Sequence, residues 1–345
     1  MIRGNTSPTS DPGESAVCHV GDLSFRSPRG SVRHLKPYTT TADQLALLRS
    51  RGLQITDEAA ARSGIRRLGF YRLAGYAYPL KTTATTGATP GKVFRRGASF
   101  ELMVALSEFD KALRLLVLHG LEIIEIAVRA AVVERLGKLD VEGHRNPNVL
   151  DGKFTATGPD GTSAHTRWLE RLDSLCASSK EDFVDHHRQH YGGRMPVWAA
   201  AEVWEFGLLS RLTTGLQRRD QRAIARQFGM DQPAVLRSWM HMFNVIRNIA
   251  AHHGRLWNRA NPIVPVLPDE QACPDVAFLH ALPSAKNRLF GVLSCMRIAI
   301  RAAMPESDWH QQLKSLMTTF PSTPLVSMAF AGFPHDWQSL PLWCD

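Results

Sequence analysis

The stretch SFELMVALSEFDKALRLLVLHGLEIIEIAVRAAVVERLG, residues 99–137, carries the longest helical pattern in the chain. Its apolar residues recur every three or four positions, which places them on one stripe of a helix. A helix over about 100–137 would be long enough to span a bundle. The stripe turns from large to small residues, which lets a second helix approach closely and predicts a bundle or dimer core. Its members are Leu102, Leu106, Phe109, Leu113, Leu116, Gly120, Ile123, Ala127 and Ala130.

Shorter helical patterns flank this stretch on both sides, and together they predict an all-α fold. Towards the N-terminus, a capping box at Thr41–Gln44 opens one helix and Gly52 closes it. A second helix begins near Asp57. Towards the C-terminus, the patterns cover 165–177, 180–191, 196–217, 276–303 and 305–318, with a kink or delayed start expected at Pro283. A further helix is opened by Asp231 and Pro233 and ends at the segment that begins with Arg247.

Changes in composition divide the chain into four parts. Residues 1–35 are rich in Gly, Ser, Pro and Thr and are predicted to be a disordered tail. Residues 36–95 form a small N-terminal helical subdomain, and residues 96–305 form the main helical bundle with helical insertions. Residues 306–345 form a last helix and an extended tail, expected to pack as a strap over the bundle.

The charge of the chain favours a polyanionic partner. The sequence has 41 Lys and Arg against 32 Asp and Glu, a formal net charge of +9. Its five cysteines are widely spaced without a Cys-x-x-Cys pair, which fits a reducing cytoplasm and argues against a disulfide framework or a cysteine-based zinc site. No signal peptide or transmembrane segment is recognised, so we expect a cytoplasmic protein that makes no membrane contact and needs no cofactor.

Three groups of side chains allow a structural and a functional interpretation. The aromatics of FYRLAGYAYPLK, residues 70–81, either pack a helical subdomain or form a surface on which unpaired bases stack. His186, His187 and His190 fit a solvated helix face better than a metal site, because no partner has the spacing of a zinc motif. Trp198 and Trp204 lie on one apolar face and are predicted to belong to the core.

The most unusual polar segment is RNIAAHHGRLWNR, residues 247–259, at the end of a predicted helix that Gly254 is expected to cap. Its Arg and His residues suit RNA cleavage by the RNA's own 2′-hydroxyl. Histidine titrates near neutral pH and can move protons, and arginine can hold a phosphate through two hydrogen bonds. Asn248 precedes His252 by one turn and can orient its imidazole. The alternative is that Asn248, His252 and His253 only satisfy a helix end.

A second basic segment lies upstream of this motif. Arg218, Arg219 and Arg222 belong to a stretch, Arg218 to Arg226, with four Arg and one Asp. It is either a solvated helix face or a contact for the RNA backbone.

Five blocks of the sequence, in order, resemble the Abi-like abortive-infection family of bacterial phage-resistance proteins, the AbiD/AbiF group. Residue 250 is Ala where relatives often have Cys, which affects no motif position. Residues 1–35 and those after about 270 lie outside the resemblance. The blocks are KPYTTTADQLALLRSRGLQI (36–55), FYRLAGYAYPL (70–80), residues 99–130 of the stretch quoted first, MPVWAAAEVWEFGLLSRL (195–212) and RNIAAHHGRLWNR (247–259).

The resemblance implies a HEPN-like bundle, a homodimer formed across the motif helix and a metal-independent endoribonuclease. The HEPN pattern falls on Arg247, Asn248 and His252 as catalytic residues. We expect His253 and, more weakly, Arg255 and Asn258 to contact RNA, together with Arg218, Arg219 and Arg222. RNA would be the substrate, and a small regulatory RNA is a second candidate partner. The alternatives are a non-catalytic RNA-binding protein and an interaction scaffold.

Overall fold

The computed structural model describes residues 37–82, 93–271 and 273–344, and the tail predicted over residues 1–35 lies outside them. Every regular element in these ranges is helical, which confirms the all-α prediction. The helices are α1 (Thr41–Ser50), α2 (Glu58–Leu68), α3 (Phe70–Ala77), α4 (Phe100–Gly137), α5 (Gly152–Thr155), α6 (Ala164–Ser178), α7 (Asp182–His190), α8 (Val197–Ala200), α9 (Phe206–Gly215), α10 (Arg218–Gln227), α11 (Pro233–Ala251), α12 (Ala277–Ala281), α13 (Pro283–Lys286), α14 (Leu289–Ala303) and α15 (Trp309–Thr318).

Helix α4 is the predicted central helix, and α3, α11, α14 and α15 pack around it. The predicted stripe is buried over its first half, but Ala127 is half-buried and Ala130 is exposed. A pattern of seven residues per two turns drifts by about 20° per heptad on a straight helix, so the stripe rotates out of the core. Further along, the buried positions are instead Leu121, Ile124 and Val128.

Gly120 is a point of close approach to α4. A β-carbon at this position would lie 2.6 Å from Nε1 of Trp309 and 2.8 Å from the end of Met296. The Trp309 indole also donates a hydrogen bond to the Leu116 carbonyl, at 2.9 Å. The close approach predicted at Gly120 is therefore confirmed, and the helices that use it are α14 and α15 of the same chain.

The N-terminal helices follow the predicted signals with one shift. The capping box lies one residue earlier than predicted, because Thr40 and Asp43 bond each other's side chain and backbone. Gly52 adopts a left-handed φ of 87° just after α1, and Asp57 caps α2. The division of the chain at residues 95 and 305 stays a prediction.

The helix predicted over residues 196–217 is wrong as a single element. It is broken into α8, a 3₁₀ turn and α9, because Trp204 and Glu205 are extended. The break frees the Trp204 carbonyl, which accepts a hydrogen bond from Arg129 at 3.1 Å. Trp204 is buried as predicted, but Trp198 is 52% exposed, so its assignment to the core is wrong.

The C-terminal region packs on the bundle as predicted, but its tail is folded into turns and is not the extended strap that we expected. Pro283 separates α12 from α14 by beginning the short helix α13. The tail forms short 3₁₀ turns, and its aromatics are mostly buried; Phe333, for example, lies 4.7 Å from Phe290 between ring centres. In the described ranges no helix has the length and apolar character needed to cross a membrane.

Candidate functional site

The Arg/His motif occupies the last turn of α11 and the loop that follows it. The apolar face of α11 is buried, with Trp239 and Phe243 inaccessible to solvent, and this fixes the rotation of the helix. Arg247 is half-buried, whereas Asn248 and His252 are exposed. The end of the helix thus carries a half-buried arginine and an exposed imidazole.

The chain leaves α11 through a turn of the Schellman type. The amide of Gly254 donates to the Ile249 carbonyl at 2.7 Å, and the amide of His253 donates to the Ala250 carbonyl at 3.0 Å. The left-handed residue of this turn is His253, with φ 60°. We expected Gly254 to be the left-handed residue that caps the helix, but His253 takes this role, so the expectation is wrong.

Gly254 is nevertheless required, for a steric reason. A β-carbon at Gly254 would lie 2.9 Å from the side chain of Ile249 and 3.0 Å from its carbonyl oxygen. Left-handed backbone is unfavourable for a residue with a side chain and occurs mostly where the surroundings impose it. One such contact comes from α3, where Arg72 donates a hydrogen bond to the His253 carbonyl.

The carboxylate of Asp110, on α4, holds the loop that follows the turn. It accepts hydrogen bonds from the amides of Trp257 at 2.7 Å and Leu256 at 3.1 Å. It also accepts one from the Tyr76 hydroxyl at 2.8 Å and forms an ion pair with Arg114. Asp110 is fully buried, so it joins α3, α4 and the motif loop inside the protein.

The electrostatics of this cluster fit an ionised Asp110. Burial raises the pKa of the Asp110 carboxyl, but the donors from Trp257 and Tyr76 and the Arg114 charge stabilise the ionised form. Burial and the neighbouring carboxylate raise the pKa of Tyr76 to about 12, so its hydroxyl remains a donor at neutral pH. Four donor groups, counting the guanidinium, would be difficult to satisfy with a neutral acid.

Two further contacts fix the loop. Arg255 is largely withdrawn from solvent, which lowers its pKa, and it donates a hydrogen bond to the Gly75 carbonyl of α3. Trp257 is fully buried, with its ring centre 5.5 Å from that of Phe320. Asn258 adopts a left-handed φ of 53°, which asparagine tolerates better than most residues. Arg255 and Trp257 thus hold the loop that follows the helix, while a contact of Arg255 or Asn258 with RNA stays a prediction.

Arg247 faces α4 near a second charged pair. Glu125 and Arg129 are four residues apart on α4, a spacing that predicts an ion pair on the exposed side of the helix. A 2.7 Å hydrogen bond joins them, but their side chains are only 17% and 19% exposed, so the pair forms as predicted while its predicted exposure is wrong. Burial raises the pKa of Glu125, while the Arg129 and Arg247 charges oppose this. The Arg247 charge therefore acts on the Glu125 carboxyl, which places the two side chains near each other.

The basic segment does not join this site. Arg218, Arg219 and Arg222 are exposed on α10. Helix α10 packs beside the start of α11, where Arg237 donates to Gln221. Arg247 lies ten residues beyond Arg237, which corresponds to about 15 Å along a helix. The three arginines therefore form a separate surface.

The aromatics of residues 70–81 divide between the two interpretations. Tyr76 is buried and bonds Asp110, as expected for a packing residue. Tyr71 and Tyr78 are 86% and 59% exposed, as a stacking surface would require. On α7, His186 and His190 are exposed as expected. Within the described ranges, no three His, Cys, Asp or Glu side chains are grouped to hold a metal ion.

The residue that the sequence analysis missed is Asp110. A carboxylate four residues before Arg114, at helical spacing from the apolar Leu106, Leu113 and Val117, is a recognisable signal for a buried ion pair. The sequence offers no means of identifying the amides and the hydroxyl that bind it.

Comparison with known proteins gives one match. The family model described as Abi-like protein matches residues 64–258. These residues include Tyr76, Asp110 and the whole Arg247–Asn258 segment. No curated protein and no solved structure matches the chain. The family's name refers to abortive infection and suggests a role in defence against bacteriophages. Because the match covers more than half of the sequence, the chain belongs to the Abi-like protein family.

Proposed function

We propose that the protein is a cytoplasmic phage-defence effector that cleaves RNA as a metal-independent endoribonuclease of the HEPN type. The observation that supports this most is the end of α11. A half-buried Arg247 lies in the last turn of α11, and an exposed His252 lies in the turn that follows, which Arg72, Asp110 and Arg255 hold in place. A site that is held before substrate arrives loses little of its binding energy to reorganisation.

The proposed reaction needs only groups that this segment offers. The 2′-hydroxyl oxygen of the RNA attacks the adjacent phosphorus, and the bond from phosphorus to the 5′-oxygen breaks. One histidine takes the proton of the 2′-hydroxyl, and another supplies a proton to the departing 5′-oxygen. Arg247 holds the phosphate as charge develops, and Asn248 orients His252. The products are a 2′,3′-cyclic phosphate and a 5′-hydroxyl.

Two histidines at one phosphate would come from two copies of the chain. A groove of about 430 Å³ runs along the second half of α4, where Ile126 is 56% exposed beside Ala127 and Ala130. Glu122 lines this groove and interacts with Glu125, which in turn interacts with Arg247. We propose that a second copy packs here and brings two copies of Arg247 and His252 together.

The test of catalysis is cleavage of cellular RNA by purified protein in EDTA. Wild type should cleave and leave 2′,3′-cyclic phosphate ends, while Arg247→Ala and His252→Ala should lose at least about a hundredfold in rate. His241→Ala is the matched control, since His241 is exposed on the same helix. Absence of cleavage by wild type, or equal cleavage by all variants, would refute the assignment.

The dimer is tested separately. Ile126→Glu should produce a monomer in analytical ultracentrifugation and abolish cleavage, because it places a charge in the proposed contact. Leu115→Glu is the matched control, since Leu115 is 60% exposed on α4. A wild type that is monomeric at the concentrations used for cleavage would contradict the composite site.

A second candidate function is RNA binding without cleavage. It is favoured by the exposed arginines of α10 and by the exposed Tyr71 and Tyr78. It predicts that RNA co-purifies and that binding falls steeply with salt, since phosphate contacts release counterions. Charge reversal at Arg218, Arg219 and Arg222 should then abolish binding, while His252→Ala leaves it intact.

A further inference from the structure

A wide cleft of the protein lies away from the Arg/His motif. It has a volume of about 490 Å³, within the range of small-molecule sites. We call it the aromatic cleft. It lies beside the end of α4, where Trp198 packs on Gly137, whereas Arg247 lies beside Glu125. Twelve residues of helix separate these two points, or about 18 Å. Six residues that matter here line it: Glu142, His186, His187, Tyr191, Arg194 and Trp198.

The backbone builds this cleft from two segments. After α7 the chain reverses at Gly192 and Gly193, whose φ values are 60° and 80°, and this reversal places Tyr191 and Arg194 on the same cleft. The amide of Val197 donates to the carbonyl of Val141 at 2.7 Å, which joins the two walls. A small apolar cluster that includes Met195 lies beneath.

The walls of the aromatic cleft carry aromatic side chains that are only partly packed against the protein. Tyr191 is 58% exposed and Trp198 is 52% exposed, although both side chains are largely apolar. The rings of His186 and His187 lie 5.7 and 5.4 Å from that of Tyr191. Exposed apolar surface gathered in a concave site is typical of ligand-binding sites. Four flat rings favour a flat ligand that can stack.

The polar edge of the cleft carries both donors and an acceptor. Arg194 bonds Glu142 through two nitrogens, and this pairing lowers the pKa of the Glu142 carboxyl. The Arg194 side chain is 77% exposed while that of Glu142 is only 18% exposed. The His187 Nδ1 atom is engaged by the Phe183 carbonyl at 2.8 Å, so its Nε2 atom remains for a ligand. Because the ion pair is balanced, the cleft has little net attraction for phosphate.

We propose that the aromatic cleft binds an unpaired nucleobase. A base offers a flat face to Tyr191 and Trp198 and an edge of donors and acceptors to Arg194, Glu142 and His187. A mononucleotide and an unpaired base in a single strand share this chemistry. The site uses neither Arg247 nor His252, so it stands independently of the proposed cleavage.

Tryptophan fluorescence reports on this site directly. All eight tryptophans are in the described residues, and Trp198 is the exposed one among them. The four ribonucleosides serve as probes because they carry no phosphate, and the four homopolymeric RNA hexamers serve as the strand. At least one nucleoside or hexamer should quench Trp198 in a saturable manner. Quenching by a nucleoside should change little between low and high salt, because no phosphate contact is involved.

Equilibrium dialysis of the same probes tests the residues. Tyr191→Ala and Trp198→Ala should each weaken binding about tenfold or more, while Tyr191→Phe, which keeps the ring, should bind within about threefold of wild type. Tyr38→Ala is the matched control, since Tyr38 is 88% exposed and does not line the cleft. Circular dichroism checks that each variant is folded.

The binding results distinguish a mononucleotide from a base in a single strand, and they decide whether the proposal holds. Binding of nucleosides identifies a mononucleotide site, and binding of hexamers alone identifies a site for a strand. If neither class binds, or if Trp198→Ala and Tyr191→Ala bind as wild type does, the proposal is overturned.

Discussion

Helices α7 and α11 both end in turns rich in histidine, but the two turns are held by different means. After α7, the left-handed positions are Gly192 and Gly193, which adopt this backbone at little cost. After α11, the left-handed position is His253, which does not. Arg72 binds the carbonyl of His253, and Asp110 binds the amides that follow. Thus local sequence shapes the first turn, while remote contacts impose the second.

Removal of Asp110 should cause the largest loss of stability, because Asp110 holds the turn that depends on remote contacts. Asp110→Ala leaves the Arg114 charge, the Tyr76 hydroxyl and two amides buried without an acceptor, and should lower the free energy of unfolding by about 3–5 kcal/mol. Urea denaturation measures this. Asp185→Ala, on α7, is the control: its side chain is 47% exposed and pairs with Arg188, so the loss should stay below about 1 kcal/mol. Equal losses would show that the two turns are held alike.

The pH dependence of stability should come from a histidine outside both turns. His144 is fully buried against Trp168 and Trp204, and burial lowers its pKa to about 4 from an ordinary 6.5. Between these values the unfolded chain binds the proton and the folded protein does not. Stability is therefore lost as the pH falls through this window, by about 2–3 kcal/mol from His144.

Denaturation at pH 7 and pH 4.5 checks this expectation. His144→Phe should lose about 2 kcal/mol less than wild type over that range, whereas His186→Phe, at an exposed position, should follow wild type. An unchanged pH dependence in His144→Phe would show that folding does not lower the pKa of His144.

Substitution of the left-handed residues compares the two turns at single positions. His253→Gly should raise the free energy of unfolding by about 1 kcal/mol, because glycine adopts the left-handed backbone without strain. Gly193→Ala should lower it by about 1 kcal/mol for the same reason. Thermal denaturation measures both changes, and destabilisation by His253→Gly would argue that the His253 side chain supports the turn.

The smallest effect is expected at Arg72. Arg72→Ala removes one hydrogen bond to the His253 carbonyl and should cost about 1 kcal/mol or less. Amide hydrogen exchange should quicken locally at residues 252–254. Arg188→Ala removes a comparable 3.0 Å bond to the Cys176 carbonyl near the other turn and should leave those amides unchanged. Unaltered amide exchange in Arg72→Ala would show that Asp110 and Arg255 are enough to hold the turn at residues 252–254.

Much of the helical framework could be predicted from local sequence. The periodicity of residues 99–137, the glycine at position 52 and the prolines at 233 and 283 mark elements that the structure contains. The stripe on α4 was predicted well at its start and poorly at its end, because a small error in period accumulates along a long helix.

The site was predicted in part. The sequence placed Arg247 and His252 at a helix end, and the structure has them there; their catalytic roles stay predictions. The surroundings could not be predicted, because Asp110 lies 147 positions from the amide of Trp257 that it binds. Trp198 was misplaced because an apolar pattern does not reveal that α8 ends after one turn.

The sequence by itself determined most of the helical segments, several of their ends and which residues are available for chemistry. These properties follow from periodicity, capping and backbone preference, all of which act over a few residues. Only the tertiary structure decided that a buried carboxylate holds the motif loop, that His253 is left-handed and that Tyr191 and Trp198 share a cleft. Each of these depends on contacts between residues that are distant in sequence, and a local sequence pattern does not predict such contacts.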